Sequence, residues 1–456
     1  MYNEAEGATM TNGKTATLAG LRYFIRTFGC QMNENDSEHM AGVLVQAGAR
    51  PADSPESCDI LIVNTCAVRK KSEEKLYSYL GRLATLKKKR PGLVIGIAGC
   101  VAEIHQAELF GRKPGPDFLI GPDRYQDLAR VVAQASRARS LETGRDGLWH
   151  EFGPEAVIRE SPVSGYVTIM EGCDNFCAYC VVPFARGREK YRPLPNIVRE
   201  VEDLARRGYL EVQLLGQNVN SYRDPETGRP FAALLKAVAP VEGPSWLRFI
   251  TSHPKNFTNE TIEAMGGSPK VCRELHLPLQ SGSTAVLERM NRGYSRDLYL
   301  DLVRRLRRAL PGLSLSTDII VGFPGETEED HRATLDVLRE VRFANIFSFR
   351  YSPRPLTAAA RLADDVPADV KARRLVEVQA LQKSIQLELH RSFIGRILTV
   401  LVLGPSKKGG RLLAGRSEGH QVVNFVPAVE DVGRFAQVCV TSAGPYSLRG
   451  EEALTA

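Results

Sequence analysis

The 456-residue chain lacks any run of about eighteen apolar residues, the length a helix needs to cross a bilayer, so no membrane span is expected. Its first twenty residues, MYNEAEGATMTNGKTATLAG, lack a basic start followed by an apolar stretch and read as a disordered tail, not a secretory leader. Together these absences predict a cytoplasmic location. Internal repeats and low-complexity tracts are also missing beyond that tail. What remains is an ordinary globular composition, 43% hydrophobic and 25% charged, long enough for about two to four domains with large cores. Nine cysteines, an odd number for a reducing compartment, argue against a disulfide framework and for metal ligands or buried thiols. Sixty Lys and Arg against 53 Asp and Glu leave +7, an excess that permits a polyanionic partner without demanding one.

A further absence is local. EGCDNFCAYCVVPFARG, residues 171–187, sets Cys173, Cys177 and Cys180 in a CxxxCxxC loop with no fourth ligand nearby. The nearest histidines are His150 and His253, and the next cysteine is Cys272. Structural zinc is held by four protein ligands, whereas a four-iron cubane on three thiolates keeps one iron open for another molecule. A zinc loop or a chance grouping are the alternatives that spacing leaves.

Apolar runs alternate with amphipathic stretches over residues 21–137. LRYFIRTFGC, DILIVNTC and LVIGIAGC read as strands, with SEHMAGVLVQAG and EEKLYSYLGRLATLKKK as helices between them. This βαβαβ pattern predicts a parallel α/β domain. Each strand ends in a cysteine: Cys30, Cys66 and Cys100. Parallel strands share one direction, so their carboxyl ends lie on one edge, where open α/β sheets bind ligands. The three thiols can therefore meet as a second metal site; three small residues packed at strand ends is the alternative. Cys58, Cys272 and Cys439 have no such company and read as packing residues.

Residues 138–158 are aperiodic and read as a linker. From 159 to 392, GYVTIM, LEVQLLG, WLRFIT, CRELHLPL, LSLSTDIIVG and NIFSFRY alternate with helical patterns, the last running from about 368 to 392. Six βα units are too few for a closed eight-unit barrel and predict an open, six-unit (βα) partial barrel with its chemistry at the strand carboxyl ends, where the CxxxCxxC loop falls. Residues 393–456 hold short β-type segments broken by Gly, Pro and Ser. They predict a small antiparallel β-barrel, a type that often binds nucleic acid, with Lys407, Lys408, Arg411 and Arg416 on its loops.

CxxxCxxC after the first strand of a partial barrel resembles the radical S-adenosylmethionine (SAM) enzymes. The three strand-end cysteines resemble the N-terminal domain of the methylthiotransferases, and the last segment their TRAM domain. TFGCQMNENDSE (27–38) is similar to the tRNA methylthiotransferases of the MiaB type, as are NTCAVR, EGCDNFCAYCVVPFARGRE, LLGQNVNSY, HLPLQSGS and TDIIVGFPGETEED. Two positions depart: Leu356 in YSPRPLTAAA stands where relatives commonly have Gly, and Ser417 in GRS where Thr is usual.

The resemblance implies two [4Fe-4S] clusters, one on Cys30, Cys66 and Cys100 and one on Cys173, Cys177 and Cys180, with SAM as the second cofactor. It implies methylthio insertion at C2 of N6-isopentenyladenosine at tRNA position 37, with one SAM supplying a radical and a second the methyl group. Tyr179 and the GFPGE turn, Gly322 and Pro324 included, are the implied SAM neighbours, and a core aromatic and a plain strand-to-helix turn are their ordinary readings. Arg186, Arg188, Lys190 and Arg192, with Lys407 and Arg416 from the barrel, are the expected tRNA contacts, pairing of one or two of the first four with the SAM carboxylate or with nearby acids being the alternative. A flavodoxin- or ferredoxin-type reductant, a sulfur donor and a monomeric state complete the expectation. The rivals are a protein methylthiotransferase acting on a ribosomal aspartate and a non-catalytic iron-sulfur electron carrier. A carrier typically uses four cysteines per cluster, so two three-cysteine sets speak against it.

Overall fold

A computed structural model describes residues 17–112, 115–135 and 138–453. Most of the tail expected at 1–20 lies outside the described residues; Leu18, within them, is buried and its N–H donates to Ala47 O. The chain divides into two compact units, residues 1–145 with 155–158, and residues 146–154 with 159–456.

In the first unit, β1 (Arg22–Phe28), β2 (Arg50–Pro51), β3 (Ile60–Thr65), β4 (Val94–Ala98), β5 (Phe118–Ile120) and β6 (Ser140–Glu142) form one sheet in the order β2-β1-β3-β4-β5-β6. Every pairing is parallel. The central strand β3, ILIVNT, is buried along its whole length, as a parallel strand covered on both faces requires. Beyond the three strands expected, β2, β5 and β6 are too short to show periodicity. β6 lies inside the segment read as a linker and completes the sheet beside β5.

The second unit begins with β7 (Ser164–Thr168), followed by a short antiparallel pair, β8 (Met170–Glu171) and β9 (Lys190–Tyr191). Then β10 (Glu211–Leu215) and β11 (Trp246–Phe249) join β7 in one parallel sheet, and β12 (Glu274–His276), β13 (Ser314–Val321) and β14 (Asn345–Arg350) form another. A parallel bridge between Leu247 and Val271 links the two sheets, so six strands follow one another in chain order. Among the described residues β7 and β14 do not pair, and the barrel stays open. One apolar core, from Val167 and Leu214 to Leu338 and Phe343, fills the space between these strands and their helices.

The chain ends in a closed barrel of β15 (Ile397–Pro405), β16 (Leu413–Ser417), β17 (Val422–Val426), β18 (Phe435–Ala443) and β19 (Leu448–Glu452), in the order β15-β16-β17-β19-β18. All its pairings are antiparallel except β17 with β19. Alternate residues Val400, Val402, Val423, Phe425, Val438 and Val440 point inward, and closure leaves no unpaired edge. Among the described residues no helix is long and apolar enough to cross a membrane.

Candidate functional site

In the first unit the three strand-end cysteines converge. Cys30 caps helix Gln31–Gln46, Cys66 follows β3, and Cys100 opens helix Cys100–Ile104 directly after Gly99. The Cys66 thiol is pushed well above its ordinary value, first by its hydrogen bond with the Cys30 side chain, then by burial, then by repulsion from the charged forms of Cys30 and Cys100. Cys30 and Cys100 therefore both act on Cys66. A thiol raised in this way is neutral, and binding a metal requires it to give up its proton.

Buried amides hold the triad in place. Asn33 Oδ1 accepts from Cys30 N at 3.3 Å and Cys30 Sγ at 3.5 Å. Asn33 Nδ2 donates to Asn64 Oδ1 at 3.1 Å, and Asn64 Nδ2 donates to Asn33 O and Ser37 Oγ at 2.8 and 3.0 Å. Both asparagines are fully buried. Gly99 adopts φ 89° and ψ −164°, a region essentially closed to other residues, and a Cβ there would collide with Asn64 Oδ1. Sequence reasoning missed these amides because it took NENDSE and NTC only as family marks.

The second triad lies where expected, just past β8 at the carboxyl ends of the barrel strands. Gly172, at φ 79°, sits too close to Arg188 O for a side chain, and its N–H donates to Gln217 Oε1 at 2.5 Å. Cys173 N donates to Gly187 O, and Cys180 N to Cys177 O. Burial pushes the Cys173 thiol up to about 11, against the Asn175 backbone hydrogen bond that lowers it. Burial and the neighbouring Cys177 push the Cys180 thiol up as well. Among the described residues no three His, Cys, Asp or Glu side chains are arranged to hold a single metal ion. A donor set of three soft thiolates fits an iron-sulfur cubane.

A segment downstream clamps this loop. Ala178 N donates to Met290 O at 2.9 Å, and Asn291 Nδ2 to Phe176 O at 3.0 Å. Arg292, 4% exposed, donates from Nη1 to Cys177 Sγ at 3.2 Å and to Tyr179 OH at 3.4 Å. Tyr179 packs beside Val286, Met290, Phe323 and Tyr351, so its ring also serves the core.

Buried polar atoms without partners ring the same mouth: Gln217 Nε2, Asn218 Oδ1, Ser252 Oγ, His253 Nε2 and Tyr351 OH. These follow β10, β11 and β14. Leaving such groups unpaired costs about 1–3 kcal/mol each, so a polar ligand there is favoured. Thr251 beside them holds φ 73°, an outlier for a β-branched residue. A polar cofactor such as SAM fits this surround.

Other expected contacts come out differently. Gly322 lies in a positive-φ turn at the end of β13, with Pro324 buried, but its N–H donates to Glu326 Oε2 at 2.5 Å. Glu326 in turn is tied to Arg374 at 2.7 Å. Gly325 N donates to Asp365 Oδ1 at 2.7 Å, so these two turn amides are engaged within the protein and not offered to a nucleoside. Arg186, 3% exposed, faces Glu171 at 3.7 Å, and Lys190 faces the same carboxylate at 3.3 Å. Arg192 is buried between Glu151 and Glu200. Arg416 pairs with the fully buried Glu211 at 3.0 Å. The expected phosphate contacts at Arg186, Lys190, Arg192 and Arg416 are thus corrected to internal ion pairs. Arg188, its side chain 73% exposed beside Asp174, and the exposed Lys407 stay at the surface.

Comparison with known proteins matches residues 22–121 to the Uncharacterized protein family UPF0004, 167–338 to the Radical SAM superfamily and 391–452 to the TRAM domain. The tRNA-2-methylthio-N(6)-dimethylallyladenosine synthase of Chlorobium luteolum is 46% identical over 94% of this chain and 97% of its own. That of Geobacter sulfurreducens is 45% identical over 94% and 96%. Among solved structures, the radical SAM methyltransferase TsrM from Kitasatospora setae, with cobalamin and a [4Fe-4S] cluster bound, superposes at a TM-score of 0.55. It shares 15% identity and covers 84% of this chain and 81% of its own, a likeness of fold.

Proposed function

The chain belongs to the tRNA-2-methylthio-N(6)-dimethylallyladenosine synthases, and on that premise we propose which of its residues carry the reaction. It is a radical SAM tRNA methylthiotransferase, with SAM and two [4Fe-4S] clusters as cofactors and tRNA as substrate. Cys30, Cys66 and Cys100 hold one cluster; Cys173, Cys177 and Cys180 hold the other. When bound, a cubane with an open iron supplies one-electron cleavage of SAM to an adenosyl radical, chemistry suited to an unactivated aromatic C–H such as adenine C2.

The protein's own part is to hold and to shield. Asn33 and Asn64 fix the Cys30 sulfur. Gln217 and Asn291 tie the barrel loop to its neighbours. Tyr179 closes one side of the mouth, and the unpaired donors of Gln217 and His253 are available to SAM or to the adenosine. Arg188 and Lys407 contact tRNA phosphates, and the modified base is N6-isopentenyladenosine at position 37. A flavodoxin- or ferredoxin-type reductant, a separate sulfur donor, a monomeric state and a cytoplasmic location complete the proposal.

The observation that carries it is that Cys30, by a hydrogen bond, and Cys100, by its charge, both act on Cys66, in a chain that keeps the second triad at the barrel mouth. The test is anaerobic reconstitution followed by iron counting and by incubation with isopentenylated tRNA, SAM and a reductant. About eight irons per wild-type chain, falling to about four in Cys30→Ala and in Cys177→Ala, are expected. A methylthio nucleoside should form only in the wild type. Full iron content in either variant would remove that triad from the ligand set.

A further inference from the structure

Arg292 is a fully charged side chain, 4% exposed, for which no carboxylate among the described residues serves as partner. The groups that act on it most strongly are Tyr179, Tyr294 and Cys177, with Cys180, Tyr299 and His253 also within its field and no carboxylate among them. Its remaining hydrogen bonds are neutral: Nε donates to Tyr294 OH and Nη2 to Pro278 O, both at 3.0 Å. A buried cation without a counter-ion is costly, and proteins pair such charges or use them to bind anions. The geometry is also built. Asn291 and Gly293 flank Arg292 at φ 55° and 69°, so the backbone spends two left-handed residues to aim one side chain. Tyr294 OH, which anchors Nε, is itself fixed on Pro278 O and Leu279 O. The free corner of the guanidinium then meets Cys177 Sγ at 3.2 Å.

We propose that Arg292 is a positioning residue whose missing counter-ion is the barrel cluster, and that its N–H to Cys177 Sγ raises the reduction potential of that cluster. This inference rests on the reading that Cys177 is an iron ligand. Three thiolates give the cluster a net negative charge, and reduction adds one more electron. A fixed cation on a ligand sulfur stabilises the reduced form more than the oxidised one, so cleavage of SAM becomes accessible to a weaker reductant. Hydrogen bonds to cluster sulfurs and local charge are established levers on such potentials.

The test uses the full chain, reconstituted with iron and sulfide, in a Cys30→Ala/Cys66→Ala/Cys100→Ala background so that only the barrel cluster gives a paramagnetic signal. Dithionite titration followed by electron paramagnetic resonance reads the midpoint potential, and SAM affinity is measured alongside. Arg292→Met should keep about four irons and shift the reduction equilibrium at least about tenfold toward the oxidised form, about 59 mV for one electron. Arg292→Lys, which keeps the charge, should recover part of that shift. An unmoved potential in Arg292→Met with a normal cluster overturns the inference, as does a loss confined to SAM affinity, which would assign the guanidinium to the SAM carboxylate. If Arg292→Met cannot hold iron, Tyr294→Phe decides: a smaller downward shift supports the inference, and none overturns it. A background chain that binds no iron before Arg292 is touched overturns the cysteine assignment and the inference with it.

Discussion

Replacing Arg416 should destabilise the protein without touching its RNA affinity. Glu211, the first residue of β10, is fully buried and lies against Arg248 Nε at 2.6 Å and Arg416 Nη2 at 3.0 Å. Ser164 Oγ donates to it at 2.6 Å. Burial alone would push this carboxyl up; the guanidiniums of Arg416 and Arg248 overcome burial and hold it at about 2, against an ordinary 4.5. At 1.36 kcal/mol per pH unit that difference corresponds to about 3 kcal/mol. Its sign follows from the depressed value: the contribution is complete above pH 4.5 and is lost as pH falls from there toward 2. Arg416→Met removes the larger of the two attractions, so a loss of about 3 kcal/mol is expected at pH 7, with acid unfolding starting at higher pH. Trp246 reports the event, because its ring packs edge-on against Phe435 of the terminal barrel at 4.8 Å. Urea unfolding followed by its fluorescence, in a Trp149→Phe background, measures the change. Adding Glu211→Gln should recover part of the loss, since it removes the stranded charge. The salt dependence of tRNA binding should stay at the wild-type slope in Arg416→Met, whereas Arg188→Ala and Lys407→Ala should each lower it by about 1. An unfolding free energy within about 0.5 kcal/mol of wild type, or a reduced salt slope, would refute the assignment of Arg416 to the interior.

Three other outcomes follow from single residues. Leu356 holds φ 69° on an exposed loop, where L-residues are strained by about 1–2 kcal/mol and glycine loses about 0.5–1 kcal/mol of chain entropy. Leu356→Gly should therefore raise stability by up to about 1 kcal/mol in thermal unfolding, and a lower midpoint would contradict the strain argument. Gly99→Ala should disturb Asn64 and cost about 1–3 kcal/mol, lowering iron in the first triad while the barrel cluster stays full; unchanged iron would mean the turn tolerates a side chain. Burial, with Arg292 and Lys255 nearby, holds the His253 imidazole down at about 2, so it stays neutral while the unfolded chain takes up a proton below about 6.5. Stability should thus fall as pH drops from 7 to 5, and the slope should flatten in His253→Gln.

The strands that carry the cysteines were legible because each is an apolar run cut off by a turn, and a parallel sheet converts shared direction into shared position. β5 and β6, three residues each, were illegible: nothing so short has a period, and only the completed sheet gives them partners. The basic run ARGREKYR was legible only in part, for a different reason: pairing with acids was expected of one or two of its cations and is found for three buried ones. Composition shows four cations in seven positions, but not that Glu171, Glu151 and Glu200 reach them from elsewhere in the chain. Arg292 escaped notice because a single arginine carries no pattern; its meaning lies in the acid that is absent around it.

β10 shows how one strand separates stability from chemistry. At its start Glu211 is saturated by two arginines and a serine, an arrangement that leaves no valence for a ligand. Just past its end, Gln217 spends its carbonyl on the Gly172 N–H of the cysteine loop and keeps an amide donor unpaired, and Asn218 keeps an acceptor. The amino end is not fully paired either, since Arg416 Nε beside Glu211 lacks a partner, but that atom belongs to an ion pair, whereas the carboxyl end leaves neutral amides open. In a parallel barrel the loops at the carboxyl end are free to vary while the opposite end closes the core, so unpaired neutral amides there mark where a cofactor and a base can enter. On the proposed assignment of Cys173, Cys177 and Cys180, the polarity of the strand, more than the identity of any one residue, directs the reaction to their mouth of the barrel.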